Sequence, residues 1–86
     1  MPKVKLPYEV KNNLNYYITR ELGEKMARTG IKYYKENVME DVAKYSGVGV
    51  GNIKRINRNI AQPSLGVALK IAEYFNVKVE DVFKIS

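Results

Sequence analysis

Apolar residues recur at helical spacing along most of the chain. The first stripe comprises Leu14, Tyr17, Ile18, Leu22 and Met26. Its later members follow Leu14 by three, four, eight and twelve residues. Residues at these intervals lie on one face of a helix. We therefore predict a helix from Glu9 to Arg28, with Gly30 as a plausible stop because glycine tolerates the left-handed conformation that ends many helices.

A second apolar stripe predicts the next helix, and its members are Ile31, Tyr34, Val38, Val42 and Tyr45. The run from Asn37 to Glu40 resembles a capping box, which would start the helix at Asn37. The residues 31–36 then form either a separate helical turn or part of one longer helix, and the pattern leaves both open. In either case Gly47 ends this helix, and residues 47–49 form a tight turn.

Three further helices are predicted after this turn. Residues 50–58 form a short helix whose Ile53 and Ile56 share one face, with basic side chains elsewhere on its surface. Asn59 suits a left-handed exit, and Ser64 suits an N-cap. The following helix ends at Asn76, and its apolar face comprises Leu65, Ala68, Leu69, Ala72 and Phe75. The last helix carries Val79, Val82 and Phe83, with Glu80 and Asp81 in its first turn. No strand is predicted, so the fold class is all-α.

Length and composition limit the chain to one small domain. The 86 residues include 45% hydrophobic side chains, enough for one core. Two of the three prolines lie in the first seven residues, so we expect a flexible arm over residues 1–8 and a single domain over 9–86. No apolar run reaches the length of a signal peptide or a membrane span, which predicts a cytoplasmic protein without a membrane partner.

Charge and residue types narrow the chemistry further. The net charge of +6 favours polyanionic partners. Neither Cys nor His is present, so thiolate metal sites and the commonest catalytic bases and nucleophiles are missing. The paired acids at 40–41 and 80–81 lie in first turns of predicted helices, where the dipole accounts for them. The glycines of residues 47–51 lack the preceding strand and the Lys-Ser or Lys-Thr pair of a phosphate-binding loop. We predict no enzyme activity, no cofactor and no metal.

The half from Asn37 to Ile85 resembles the Cro/C1-type (XRE) helix-turn-helix family. The resemblance rests on Val42-Ala43, Gly47-Val48, Ile53, Ile56, Pro63-Ser64, Leu69, Ile71-Ala72, Phe75-Asn76-Val77 and Val82-Phe83. It implies a compact, five-helix, lambda-repressor-like domain with the motif at about residues 37–58 and an extended N-terminal helical segment. The sequence departs from the family pattern at Met39, Gly49, Gly51, Asn57 and Asn59, and by about a dozen extra residues between Leu22 and Glu36, which we expect to add a helical turn or a dimer contact.

The resemblance also implies which side chains would meet DNA. The second helix of such a motif lies in the major groove with its N-terminal residues against base edges. By position, the residues that would read bases are Val50, Gly51, Asn52 and Arg55. The residues that would contact phosphates are Lys44, Lys54 and Arg58. The family implies a transcriptional regulator, most often a repressor, that binds double-stranded DNA as a homodimer.

A protein-interaction module is the alternative hypothesis. An antirepressor, an antitoxin or a plasmid or phage control factor could use the same fold to bind a protein partner. Seven tyrosines lie mainly in the N-terminal half, including the pairs Tyr16-Tyr17 and Tyr33-Tyr34. One member of each pair fits an apolar stripe, and the other is either a half-exposed ring over helix stems or part of a homodimer interface.

Overall fold

The computed structural model describes residues 7–85, which form five α-helices and a two-stranded antiparallel sheet. In chain order the elements are β1 (Val10–Asn12), α1 (Leu14–Thr29), α2 (Lys35–Ser46), α3 (Val50–Asn57), α4 (Leu65–Tyr74), α5 (Val79–Val82) and β2 (Phe83–Ile85). Across these residues, none of the helices has both the length and the apolar character needed to span a bilayer. Residues 1–6 of the predicted arm lie outside the described residues.

Helix α1 begins later than the apolar stripe predicts. The side chain of Asn12 accepts a hydrogen bond from the Leu14 amide at 3.1 Å, so the chain turns into the helix at Leu14 and not at Glu9. Gly30 ends the helix as predicted, with φ at +68° and its N–H donating to the Met26 carbonyl at 2.9 Å. The extra residues therefore supply the last turns of α1 and the link that follows it.

Helix α2 begins earlier than predicted. The Asn37 side chain accepts a hydrogen bond from the Tyr34 amide at 2.8 Å, which places Asn37 in the first turn of the helix. The predicted capping box at Asn37 to Glu40 is therefore wrong. Residues 31–34 form an irregular link and not a helical turn. Gly47 ends α2 with φ at +78°, as expected.

The second half of the chain follows the sequence prediction closely. Asn59 and Asn76 both adopt the left-handed conformation, with φ of 60° and 57°. The Ser64 hydroxyl accepts a hydrogen bond from the Val67 amide at 3.3 Å and caps α4. Glu80 and Asp81 lie in the first turn of α5. The predicted final helix is shorter than expected, because Phe83 belongs to β2.

All five helices contribute to a single core. Its fully buried members are Leu14, Ile18, Val38, Val42, Ile53, Ile71 and Val82. Not every residue at helical spacing faces inward. The predicted core positions Ile31, Tyr34, Tyr45, Leu65 and Leu69 are exposed. Ile31 and Tyr34 lie in the irregular link, whereas the Tyr45 ring contacts Tyr74 of α4 and still remains 42% exposed. Those five predictions were wrong.

The small sheet joins the two ends of the described chain. Strands β1 and β2 are antiparallel, with Val10 opposite Ile85, Lys11 opposite Lys84 and Asn12 opposite Phe83. The Asn13 amide continues the connection by donating to the Val82 carbonyl at 3.0 Å. The prediction of an all-α fold without strands is therefore corrected. Three-residue strands are too short for alternation of polar and apolar positions to reveal them.

Candidate nucleic-acid interface

Helix α3 is fixed to the core by one face. Ile53 is fully buried and Ile56 is 3% exposed. Val42 and Ala43 of α2 are buried in the same core cluster. The turn between the two helices is possible because Gly47 adopts a positive φ that other residues rarely tolerate. The opposite face of α3 is consequently held outward by a rigid scaffold.

Three of the four predicted base-reading residues lie on that outward surface. Gly51, Asn52 and Arg55 are exposed. Arg55 donates from Nη2 to Oδ1 of Asn52 at 3.1 Å, which holds the two polar groups side by side one helical turn apart. Val50 is different, because it is half-buried and packs against the core. Its methyl groups are therefore only partly available to a ligand.

The first turn of α3 has no side-chain cap. Its N-cap is Gly49, which has no side chain to accept a hydrogen bond, and no acidic residue lies in the first turn. The first amides of a helix lack intrahelical partners, so they favour an anion or water nearby. This end of α3 therefore presents positive electrostatic potential without an acidic side chain to neutralise it.

The three predicted phosphate-binding cations differ in their surroundings. Lys44 is exposed in the last turn of α2, and Arg58 is exposed at the C-terminal end of α3. Lys54 donates from Nζ to the Glu36 carboxylate at 2.6 Å, across the α2 and α3 pair. No local pattern points to Glu36 as a partner, because it lies 18 residues from Lys54. This ion pair partly neutralises Lys54.

Two amide side chains that the sequence analysis missed tie α3 to the sheet. Asn12 donates from Nδ2 to the Ile56 carbonyl in the last turn of α3 at 2.8 Å. Gln62, in the loop after α3, donates from Nε2 to the Val10 carbonyl at 3.3 Å. Both contacts join segments more than 40 residues apart, so no sequence pattern could reveal them.

The described residues include a shallow pocket and three side chains whose pKa values are shifted. A shallow pocket of ≈ 250 Å³ lies between Asn52 on α3 and Ser64 at the start of α4, which is smaller than a typical cofactor site. Burial raises the pKa of Tyr74, and a hydrogen bond to Glu73 raises the pKa of Tyr45. A hydrogen bond to Asp41 raises the pKa of Lys25. None of these groups lies on α3. Within residues 7–85, no three acidic side chains converge into a group that could hold a metal.

Comparison with known proteins places this geometry in a family. A helix-turn-helix family model matches residues 39–82, about half of the chain, and covers α3, α4, α5 and most of α2. The chain belongs to the Cro/C1-type (XRE) helix-turn-helix family. Within the matched residues, α2 and α3 are the helices joined by the tight turn at residues 47–49.

Two curated relatives support the assignment over a longer stretch. An uncharacterised HTH-type transcriptional regulator from Methanocaldococcus jannaschii is 43% identical over 56 residues, which cover 62% of this chain and 85% of the relative. An uncharacterised HTH-type transcriptional regulator from Archaeoglobus fulgidus is 39% identical over 59 residues, which cover 65% of this chain and 83% of the relative. Both similarities extend beyond the helix-turn-helix motif itself.

Proposed function

We propose that this helix-turn-helix protein binds double-stranded DNA sequence-specifically as a transcriptional regulator, and that it acts as a repressor. In this proposal α3 enters the major groove. The two relatives carry the name of HTH-type transcriptional regulators, which supports the same biological role. The proposed activity is binding and involves no chemical step.

The exposure of one face of α3, opposite the face that packs on the core, is the observation that supports the proposal most strongly. The helix has eight residues and is about 12 Å long at 1.5 Å per residue. The major groove is about 12 Å wide and accepts one α-helix. Because Ile53 and Ile56 bury one face of α3, the opposite face can approach a duplex without disturbing the core.

The exposed side chains on α3 have the chemistry for base recognition. The Asn52 amide can form paired hydrogen bonds with adenine, and the Arg55 guanidinium can do the same with guanine. Their mutual hydrogen bond restricts both side chains before DNA binds, which lowers the entropy lost on binding. Gly51 allows close approach of the backbone, and the exposed part of Val50 suits a thymine methyl group.

Phosphate contacts would orient the protein on the duplex. Lys44 and Arg58 are exposed and suit this role. Lys54 also suits this role, although its ammonium group must then bind Glu36 and a phosphate together or break the ion pair with Glu36. We further propose a homodimer that binds two half-sites about 34 Å apart, since that spacing places two such helices in successive major grooves.

The test compares two substitutions on a site selected from a random duplex library. Arg55→Ala should weaken cognate binding by about 1–3 kcal/mol and relax one base preference. Lys54→Ala should weaken binding to cognate and random duplexes alike, because a phosphate contact does not depend on sequence. Arg28→Ala on α1 is the matched control, since Arg28 is exposed and pairs with Glu21.

The outcomes separate the assignment of residues from the function itself. Three to five phosphate contacts predict a log-log slope of affinity against salt near about −3 to −4.5. Equal effects of Arg55→Ala on cognate and random duplexes would show that the base-reading residues are wrongly assigned. Weak binding that no duplex sequence improves would contradict sequence-specific recognition altogether.

A protein partner is a second candidate function, and one observation favours it. Tyr16 is 58% exposed and Tyr34 is 63% exposed, and tyrosine is enriched at protein interfaces. Tyr34 is exposed although its position in the stripe predicted burial. A protein-binding role would leave duplex binding weak and independent of sequence in the same salt titration.

A further inference from the structure

Two lysines face each other across the short sheet. In the antiparallel register Lys11 lies directly opposite Lys84. Directly opposed residues have Cβ atoms about 4.5–5.5 Å apart, and like charges in this position destabilise a strand pair. The core of the domain does not use either lysine, because both are exposed. Their juxtaposition therefore has a small cost and no role in packing.

Both lysines lie on the solvent side of the sheet. Successive side chains of a strand point to opposite faces. Asn12 reaches the Ile56 carbonyl, and Phe83 packs against the core, so this pair marks the inner face. Lys11 precedes Asn12 by one position, and Lys84 follows Phe83 by one position. Both lysine side chains therefore lie on the outer face.

The sheet is held beside the end of α3. Asn12 binds the Ile56 carbonyl at 2.8 Å, and Gln62 binds the Val10 carbonyl at 3.3 Å. Gln62 also donates to the Asn59 side chain at 3.2 Å, which fixes the loop that carries it. Arg58 lies between that loop and α3. The position of the sheet relative to the proposed reading helix is therefore set by direct hydrogen bonds.

Local acidic groups neutralise the lysines only in part. Lys11 has one acidic neighbour, Glu9, whose carboxylate is 3.9 Å from Nζ, and both side chains are mostly exposed. Such exposed pairs contribute little. Within residues 7–85, Lys84 has no carboxylate within 4.0 Å. The outer face of the sheet thus keeps a net positive charge.

We propose that this face is a second DNA contact, in which Lys11 and Lys84 bind backbone phosphates beside the groove that α3 enters. The inference rests on the proposed function and extends it beyond the helix-turn-helix motif. An anion between the two ammonium groups also removes their mutual repulsion. Lysines on a sheet edge can instead serve only to prevent pairing with other chains, and the experiment separates the two roles.

The test uses Lys11→Gln, Lys84→Gln and the double variant of the full chain, with Lys70→Gln as the control. Lys70 lies on α4, and its charged group is near Glu73 and the Tyr45 ring. Each phosphate contact contributes about 0.9 to the salt slope, which corresponds to about an 8-fold affinity difference at 0.1 M salt. We expect each single variant to lose about that much and the double variant about 60-fold, on cognate and random duplexes alike.

Folding controls accompany the binding measurements. Because each glutamine variant relieves the repulsion between the lysines, its thermal unfolding midpoint should be unchanged or slightly higher. The double variant Lys11→Arg with Lys84→Arg retains the charges and should keep the affinity and the salt slope. Loss of binding in this arginine variant would contradict a contact based on charge.

Unchanged affinity and salt slope in the glutamine variants, whether or not they aggregate more readily, would overturn the proposal. If Arg55→Ala still impairs cognate binding in that case, only the contact at the sheet is wrong. If the unsubstituted protein binds no duplex, the proposed function fails and the contact at the sheet fails with it.

Discussion

Two glycines of the helix-turn-helix motif should respond in opposite ways to substitution by alanine. Gly47 has φ at +78°, while Gly51 lies inside α3 with an ordinary helical backbone. An added Cβ would meet nothing within 4 Å at either position. Steric crowding is therefore the same in both cases, and the backbone conformation alone distinguishes them.

The expected magnitudes follow from this difference. An L-residue in the left-handed conformation costs about 1–2 kcal/mol, and the lower entropy of the unfolded chain returns about 0.4–1 kcal/mol. With the middle of each range, Gly47→Ala should thus lower the free energy of unfolding by about 0.8 kcal/mol. Gly51→Ala should raise it by about 0.5–1 kcal/mol, because alanine favours the helix. For a domain of this size, 1 kcal/mol shifts the unfolding midpoint by about 4–8 °C.

Thermal and urea unfolding, followed by circular dichroism, measure both effects. Gly23→Ala is the control, because Gly23 is exposed within α1, has open space around it and lies outside the motif. It should stabilise the protein about as much as Gly51→Ala does. The reasoning is refuted if Gly47→Ala is as stable as the unsubstituted protein, or if Gly51→Ala is less stable while Gly23→Ala is more stable.

Two further predictions concern charge. Glu36→Gln should strengthen duplex binding several-fold and steepen the salt slope by up to about 0.9, since it frees Lys54 from its ion pair. A slope and an affinity equal to those of the unsubstituted protein would show that the ion pair with Glu36 does not hold Lys54 away from phosphate. The free energy of unfolding should fall as the pH rises through about 10 and above. Burial raises the pKa of Tyr74, and the hydrogen bond to Asp41 raises the pKa of Lys25. The folded state therefore holds these two protons more tightly than the unfolded chain does. Urea unfolding across this range should show a smaller decline in Tyr74→Phe than in the control Tyr8→Phe, and equal declines would exclude Tyr74 as a cause.

The sequence was most informative where local chemistry determines the structure. Gly30 and Gly47 end helices and Asn59 occupies a left-handed position as predicted, because few residues tolerate a positive φ. Ser64 caps α4 for a similarly local reason. The placement of exposed polar residues on α3 followed from the buried spacing of its two isoleucines.

Sequence reasoning failed where distant segments decide the structure. Helical spacing placed Tyr34 and Leu65 in the core, but spacing cannot show whether another element covers that side of a helix. The two strands pair residues about seventy positions apart, and neither has a turn beside it that would indicate a hairpin. Glu36 and Asn12 matter to the candidate site through tertiary contacts alone.

The pairing of β1 with β2 makes the described chain nearly circular. Val10 and Ile85 are neighbours in space although they lie at opposite ends of the sequence. A polypeptide fused before β1 and one fused after β2 would therefore emerge from the same spot, next to the final turn of α3. A short linker between these ends, with new termini opened in the irregular link at residues 31–34, should give a circularly permuted protein that keeps every helix intact.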